Sequence, residues 1–310
     1  MTSVVAGIDI GGTNTKIGLV SAEGKIIASN TLSTAKYVQF PDYIDAISSA
    51  INDLMIAQDA QLKAVGIGAA SANYKTGCIE HAANLPWKGI EPICKELSGR
   101  LGVPVYLEND ANAAALGELK YGAARGLEDM VMITLGTGVG GGVISHGKLI
   151  HGANSCGGEV GHLRIDYSDN ARQCGCGSQG CLETYCSVTG VVRTAKEMYG
   201  DSRQALTSLD IYNAACSGDQ TAIEIFKTVG RQLGRAMALI IQVTDPQAIV
   251  LFGGLAAANK FFMPSLEEEM NKNIMPILRG KCKVLISTLN GADAAILGAA
   301  ATIPTNVLNN

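Results

Sequence analysis

The sequence predicts an α/β protein made of two mixed-sheet units, and three observations carry that expectation. A chain of 310 residues with 47% apolar composition is long enough for about two domains of ordinary size, each with its own buried core. Its first part reads as a hairpin followed by alternating helices and strands, the pattern of a mixed sheet with helices on its faces. The opening then recurs. Ile8-Asp9-Ile10-Gly11-Gly12-Thr13 matches Ile133-Thr134-Leu135-Gly136-Thr137-Gly138 at an offset of 125, each being a strand, a Gly/Thr turn and a second apolar run. A duplicated unit is the simplest account.

The elements follow in order. Residues 4–10 are apolar, residues 11–15 form a turn rich in Gly and Thr, and residues 17–20 are apolar again, so the chain begins as a hairpin. A third strand is expected over residues 25–31. After Pro41, Ile44, Ile47, Ile51, Leu54 and Met55 keep helical spacing, with Asp and Asn on the opposite side. A strand at 65–67, a helix over about 90–101, a strand at 103–107 and a helical stretch over 111–119 come next. In the second copy, strands at 143–144 and 148–150 precede a loop-rich insertion to about residue 182, then helices through 243. Residues 248–252 read as a buried strand ending at Gly253-Gly254, 284–289 as another strand, and 292–301 as a final helix. The expected domains are 1–117, with 292–310 packing back on it, and 118–291.

Composition narrows the function classes. The formal charge of −4 comes from scattered residues without a Lys/Arg block, which argues against nucleic acid as a partner. Residues 4–10 contain Asp9 and lack a basic leader and a cleavage site, and the richest apolar stretch, 236–243, is far short of a membrane span. A soluble chain away from membranes is expected. Nine cysteines, an odd number without a signal peptide, do not suggest a secreted disulfide framework, so the expected location is cytoplasmic.

Three groups of residues carry chemistry. Glycine turns between strands let backbone N–H groups approach an anion closely, and two matched turns suit a polyphosphate. Gly11, Gly12, Thr13 and Asn14 are the donors of the first turn, with Asp9 placed to orient Mg²⁺ and its waters; Gly136, Thr137 and Gly138 are the donors of the second. Taken singly, each turn also reads as a plain tight hairpin. Glu108-Asn109-Asp110 follows a strand and opens a helical stretch, so Asp110 either points into a ligand crevice or caps the helix. In the third group, Glu159 and His162 precede Cys174-Gly175-Cys176 and Cys181, then Glu183. One His and three Cys make a closed tetrahedral Zn²⁺ shell with no position for catalytic water, hence a structural metal. The alternatives are a core His beside unrelated thiols, or a Cys pair in a disulfide. Cys186 is expected to lie beyond the site.

Together these motifs resemble the ROK family (repressors, open reading frames, kinases) over essentially the whole chain. The resemblance implies an actin-like ATPase (ribonuclease H-like) fold, with two mixed-sheet α/β domains around a central cleft, and an ATP-dependent kinase phosphorylating a hexose, glucose at O6 first. It implies Asp110 as catalytic base, with Asn109, Asp110, Glu159, His162 and Glu183 at the sugar. It further implies His162, Cys174, Cys176 and Cys181 on zinc, Gly253 and Gly254 against the adenosine end of the nucleotide, and a homodimer. The family also contains sugar-responsive repressors, which carry a helix-turn-helix module ahead of the first hairpin; here that hairpin begins at Val4. Members commonly have Pro-Gly where this chain reads Gly68-Ala69-Ala70-Ser71-Ala72-Asn73, in a loop implied to border the sugar.

Overall fold

The computed structural model describes residues 2–200 and 206–308. The chain divides into two compact units, one within Met1–Gly126 and Thr288–Asn310, the other within Leu127–Ser287.

The first unit runs β1 (Thr2–Ile10), β2 (Asn14–Ser21), β3 (Ile26–Ser33), α1 (Phe40–Ala57), β4 (Ala60–Ala69), three short strands β5 (Ala72–Asn73), β6 (Cys78–Glu80) and β7 (Ile90–Glu91), α2 (Ile93–Leu101), β8 (Val105–Asn109) and α3 (Asp110–Tyr121). The main sheet has the order β3-β2-β1-β4-β8. β1 and β2, and β2 and β3, pair antiparallel; β1 and β4, and β4 and β8, pair parallel. Val4, Val5, Ala6 and Ile8 are all buried, as a strand covered on both faces requires. On one face α1 lays down Ile44, Ile47 and Ile51 beside Trp87, and Tyr43 gives its hydroxyl a partner in Thr15 at 2.6 Å.

The second unit runs β9 (Met130–Leu135), β10 (Val139–Ser145), β11 (Lys148–Leu149), α4 (Glu183–Cys186), α5 (Val188–Tyr199), α6 (Ser208–Cys216), α7 (Gln220–Thr244), β12 (Ala248–Phe252), α8 (Asn259–Asn273) and β13 (Lys283–Ile286). Its sheet, β11-β10-β9-β12-β13, repeats the order and the strand directions of the first. The repeated Gly/Thr segments occupy the same β-turn-β place in both. α7 buries Ile225, Phe226, Val229, Leu233 and Met237, a stripe at helical spacing, and Asp219 caps it by accepting from the N–H groups of Thr221 and Ala222.

The chain then returns to the first unit as α9 (Gly291–Ala301) and α10 (Thr305–Leu308). α9 covers the other face of the first sheet. It comes so close that a Cβ on Gly7 would run into the carbonyl of Ile296, and one on Gly66 into that of Ala299. Only glycine permits that approach.

Several elements differ from expectation. The helix expected over 90–101 starts at Ile93, because Pro92 disfavours helical backbone before it and leaves Ile90–Glu91 to pair with β6. The last strand stops at Ile286 rather than 289. The β5-β6-β7 sheet and α8 were not anticipated: strands of two or three residues have no readable period, and α8 carries Pro264 inside it with Phe262, Leu266 and Met270 as its buried apolar positions.

Candidate active site

In the first unit, strand register gathers the candidates at one sheet edge. Asp9 lies opposite Gly68 of β4, and Gly68 lies opposite Glu108 of β8. All three strands are parallel, so the turn after β1 and the segment Glu108-Asn109-Asp110 leave the sheet at the same carboxyl edge. The turn is pinned by its own backbone: Gly11 N–H donates to the Asn14 carbonyl at 3.0 Å, and Thr34 N–H to the Thr13 carbonyl at 2.9 Å. Gly12 has the Asn84 carbonyl 2.5 Å from where a Cβ would stand. Asn109, not Asp110, caps α3: its side-chain oxygen accepts from Ala111 N–H at 3.0 Å. Asp110 is the first helical residue and is exposed, with one carboxylate oxygen also accepting from Ala111 N–H at 2.9 Å.

Burial pushes the Asp9 carboxyl above its usual range, Lys16 across the hairpin offsets this in part, and the Asp110 charge adds to it. A carboxyl whose folded pKa exceeds its unfolded value of about 3.9 costs folding free energy that accumulates as pH rises through about 3.9 and is fully present above the folded value. Asp9→Asn is therefore expected to raise Tm at pH 7, with the difference shrinking as pH falls through the raised folded pKa and vanishing only below about 3.9, where the folded and unfolded states both hold the proton. Thermal unfolding across that range checks it; a variant less stable than the parent at pH 7 contradicts it.

In the second unit the same edge carries the second set. Gly136, Thr137 and Gly138 join β9 to β10, with Gly136 N–H donating to the Gly138 carbonyl at 3.0 Å. β12 runs parallel to β9 with Phe252 opposite Thr134, so Gly253 and Gly254 leave the sheet beside that turn. Gly253 takes φ +108, a conformation glycine adopts readily. Glu183, the first residue of α4, accepts from Val139 N–H at 2.9 Å.

The loop between β11 and α4 brings His162, Cys174, Cys176 and Cys181 together, with their potential ligand atoms all within 4.8 Å of one another. His162 Nδ1 lies 3.7 Å from Cys174 Sγ, and Cys176 Sγ 3.7 Å from Cys181 Sγ. A tetrahedron around Zn²⁺ with Zn–S bonds of about 2.3 Å has S···S edges of about 3.8 Å, so this donor set fits the ion, whereas a disulfide is far shorter. The backbone N–H of Ser178 and the Cys174 thiol bring Cys176 down to about 7, while burial pushes Cys181 up to about 12. With Nδ1 toward the thiols, His162 Nε2 faces Glu159 Oε2 at 3.9 Å, longer than a hydrogen bond. Glu159 precedes the single 3₁₀ turn that carries His162. Cys186 stands apart: it is fully buried and its thiol points to the Val229 carbonyl at 3.7 Å.

The family model described as ROK family matches residues 5–306. The chain belongs to the ROK family. Among the relatives of this ROK protein, the glucokinase of Thermotoga maritima is 36% identical over 310 residues, covering 96% of this chain and 96% of its own. The N-acetyl-D-glucosamine kinase of Vibrio cholerae is 30% identical over 308 residues, covering 95% and 97%. A solved ROK family glucokinase from Streptomyces griseus, in complex with glucose and AMPPNP, is 34% identical, covers 96% of this chain and 98% of that one, and has a TM-score of 0.76. The two mixed sheets with their flanking helices are the actin-like (ribonuclease H-like) fold of ROK kinases.

Two supports of the ROK motifs escaped the sequence reading. Glu108 is buried, and one of its oxygens accepts both the Asn109 backbone N–H at 2.9 Å and the Asn112 side-chain amide at 3.0 Å. It clamps the strand-to-helix junction that presents Asn109 and Asp110; the i, i+4 spacing of Glu108 and Asn112 was the available signal. Arg172 is 6% exposed and ties the cysteine loop to α4 and α5. It donates to the carbonyls of Thr184 and Gly190, to Thr194 Oγ1 and to Glu197, and stacks on Tyr185. The Tyr185 hydroxyl accepts from Arg172 N–H and donates to Asp166 at 2.5 Å. No local pattern marks a lone Arg as this kind of anchor. Among the described residues, no helix is long and apolar enough to cross a membrane.

Proposed function

We propose that this chain transfers the γ-phosphoryl group of ATP to a hexose hydroxyl, with glucose as the sugar and O6 as the acceptor. The observation that carries the reading is the exposed Asp110 at the carboxyl edge of the first sheet, next to the helix cap Asn109 and level with Asp9 and the first glycine turn, with one carboxylate oxygen on Ala111 N–H. In this reading Asp110 accepts the hydroxyl proton as the acceptor oxygen attacks in line. Gly11 and Gly136, expected as phosphate donors, instead fasten their turns through N–H bonds to the Asn14 and Gly138 carbonyls; the backbone N–H groups of Gly12, Thr13 and Asn14, and of Thr137 and Gly138, hold phosphate oxygens, and Gly253 and Gly254 lie against the adenosine end. Asp9 orients the waters of a Mg²⁺ ion, which when bound neutralises phosphate charge. Asn109, Glu159, His162 and Glu183 bind the remaining sugar hydroxyls. His162, Cys174, Cys176 and Cys181 hold a structural Zn²⁺ that keeps the loop carrying Glu159 and His162 in shape.

The 36% identity to the Thermotoga maritima glucokinase supports glucose, while the 30% identity to the Vibrio cholerae enzyme makes an N-acetylhexosamine the second sugar to consider. Coupled ADP release at fixed enzyme and ATP, across glucose, mannose, fructose, N-acetylglucosamine and N-acetylmannosamine, tests both. Glucose is expected to give the highest kcat/KM. A higher value for an N-acetylhexosamine would reassign the sugar, and no sugar-dependent ADP release at all would overturn the kinase reading in favour of a sensor.

A further inference from the structure

We infer that Glu183 is a positioning residue for the second glycine turn, setting nucleotide affinity in addition to meeting the sugar. The consequence for nucleotide rests on the proposed function; the structural claim does not.

A Gly-Thr-Gly turn has almost no side chain with which to anchor itself, yet its backbone N–H groups are its working parts and must be held in place before a ligand arrives. Within the turn the bond from Gly136 N–H to the Gly138 carbonyl is the internal fastening. The others come from the segment around α4 and the start of α5. Val188 N–H donates to the Gly136 carbonyl at 2.8 Å, Thr189 Oγ1 reaches the Thr137 carbonyl at 3.5 Å, and Glu183 Oε2 accepts from Val139 N–H at 2.9 Å. The last of these differs in kind, because its acceptor is a carboxylate and bonds of that sort are stronger than neutral ones.

Two further facts show that the carboxylate is built into the turn. Val139 is buried and Glu183 half-buried, so losing the carboxylate takes from a partly buried N–H the acceptor it has in the folded chain. A Cβ on Gly138 would run into the Glu183 carboxylate, so the glycine is needed for the acid to seat flush against the turn. Without that seat, Val139 N–H must find another partner, and the simplest way is for the turn to shift and give up its anion-binding geometry.

The test compares Glu183→Ala and Glu183→Gln in the metal-loaded full chain. Calorimetry measures the affinity for a non-hydrolysable ATP analogue without sugar, and separately for glucose without nucleotide. Amide hydrogen exchange follows the peptide over residues 133–143. Glu183→Ala is expected to bind the analogue about tenfold more weakly, the loss of one partly buried charge-assisted bond, and to exchange faster over that peptide. Glu183→Gln keeps an oxygen that accepts from Val139, so its analogue affinity should return to within about threefold of the parent while glucose affinity stays reduced. That split separates positioning from a general loss of structure, which would depress both affinities in both variants. Parental analogue affinity and parental exchange in Glu183→Ala would overturn the inference. Failure of the proposed function is read separately: the parent would bind no nucleotide, while the exchange arm would still report whether Glu183 holds the turn.

Discussion

Replacing Asp110 with Asn is expected to lower kcat by about 10² to 10⁴ while glucose binding and Tm stay near parental values. The size of the fall follows from the role. An amide cannot accept the hydroxyl proton, so the acceptor stays a poor nucleophile in an otherwise assembled site. The small effect on stability follows from the structure: the cap of α3 is Asn109, which the substitution leaves untouched. Asp110 also accepts from Ala111 N–H at 2.9 Å, a bond that the Asn oxygen can keep, so what the substitution removes from the helix is the acidic charge in its first turn, worth about 0.3–1 kcal/mol against the helix dipole. That corresponds to a change in Tm of a few degrees at most. A variant retaining a tenth of parental kcat would remove Asp110 from the role of base.

Replacing Cys176 with Ser is expected to release the metal and weaken glucose binding by about 10- to 100-fold, with much less change in nucleotide affinity. Cys176 is exposed and supplies one corner of the shell, beside Cys181 at 3.7 Å. Its loss frees the loop that carries Glu159 and His162. The segment that fastens the second turn is held by other means, because Arg172 ties the loop to Thr184, Gly190, Thr194 and Glu197. The damage should therefore stay on the sugar side. Elemental analysis of the parent should find about one zinc per chain. Parent protein free of metal, or a metal-free variant with parental glucose affinity, would defeat the structural-zinc reading.

The parts of the site that were legible in the sequence are those whose signal is local. The Cys-x-Cys-x4-Cys run and the preceding His162 announce a ligand set because thiolate and imidazole at short spacing have few other uses, and the four side chains do converge. The Asp-Ile-Gly-Gly-Thr segment and its repeat announce two matching hairpins, and the two sheets share one strand order. What stayed hidden were supports reaching across the sequence. Arg172 meets Glu197 from 25 residues away, and Glu183 meets Val139 from 44 residues away; neither separation leaves a pattern to read. At Asp110 the ambiguity was of another kind. Asn and Asp are equally good caps, so composition could not say which of two adjacent residues takes the role, and only backbone dihedrals assign it to Asn109.

By itself the sequence determined the family, the duplicated α/β plan and the residue types available for chemistry, since apolar periodicity and glycine placement restrict the backbone within each element wherever it packs. The tertiary structure alone decided which groups share a hydrogen bond: that Glu108 clamps Asn109 and Asn112, that Arg172 anchors the cysteine loop, and that a glutamate from α4 closes the turn between β9 and β10. Such pairings depend on the register of strands and the docking of helices. Those are set by burial summed over a whole core, and no short stretch of sequence contains that sum.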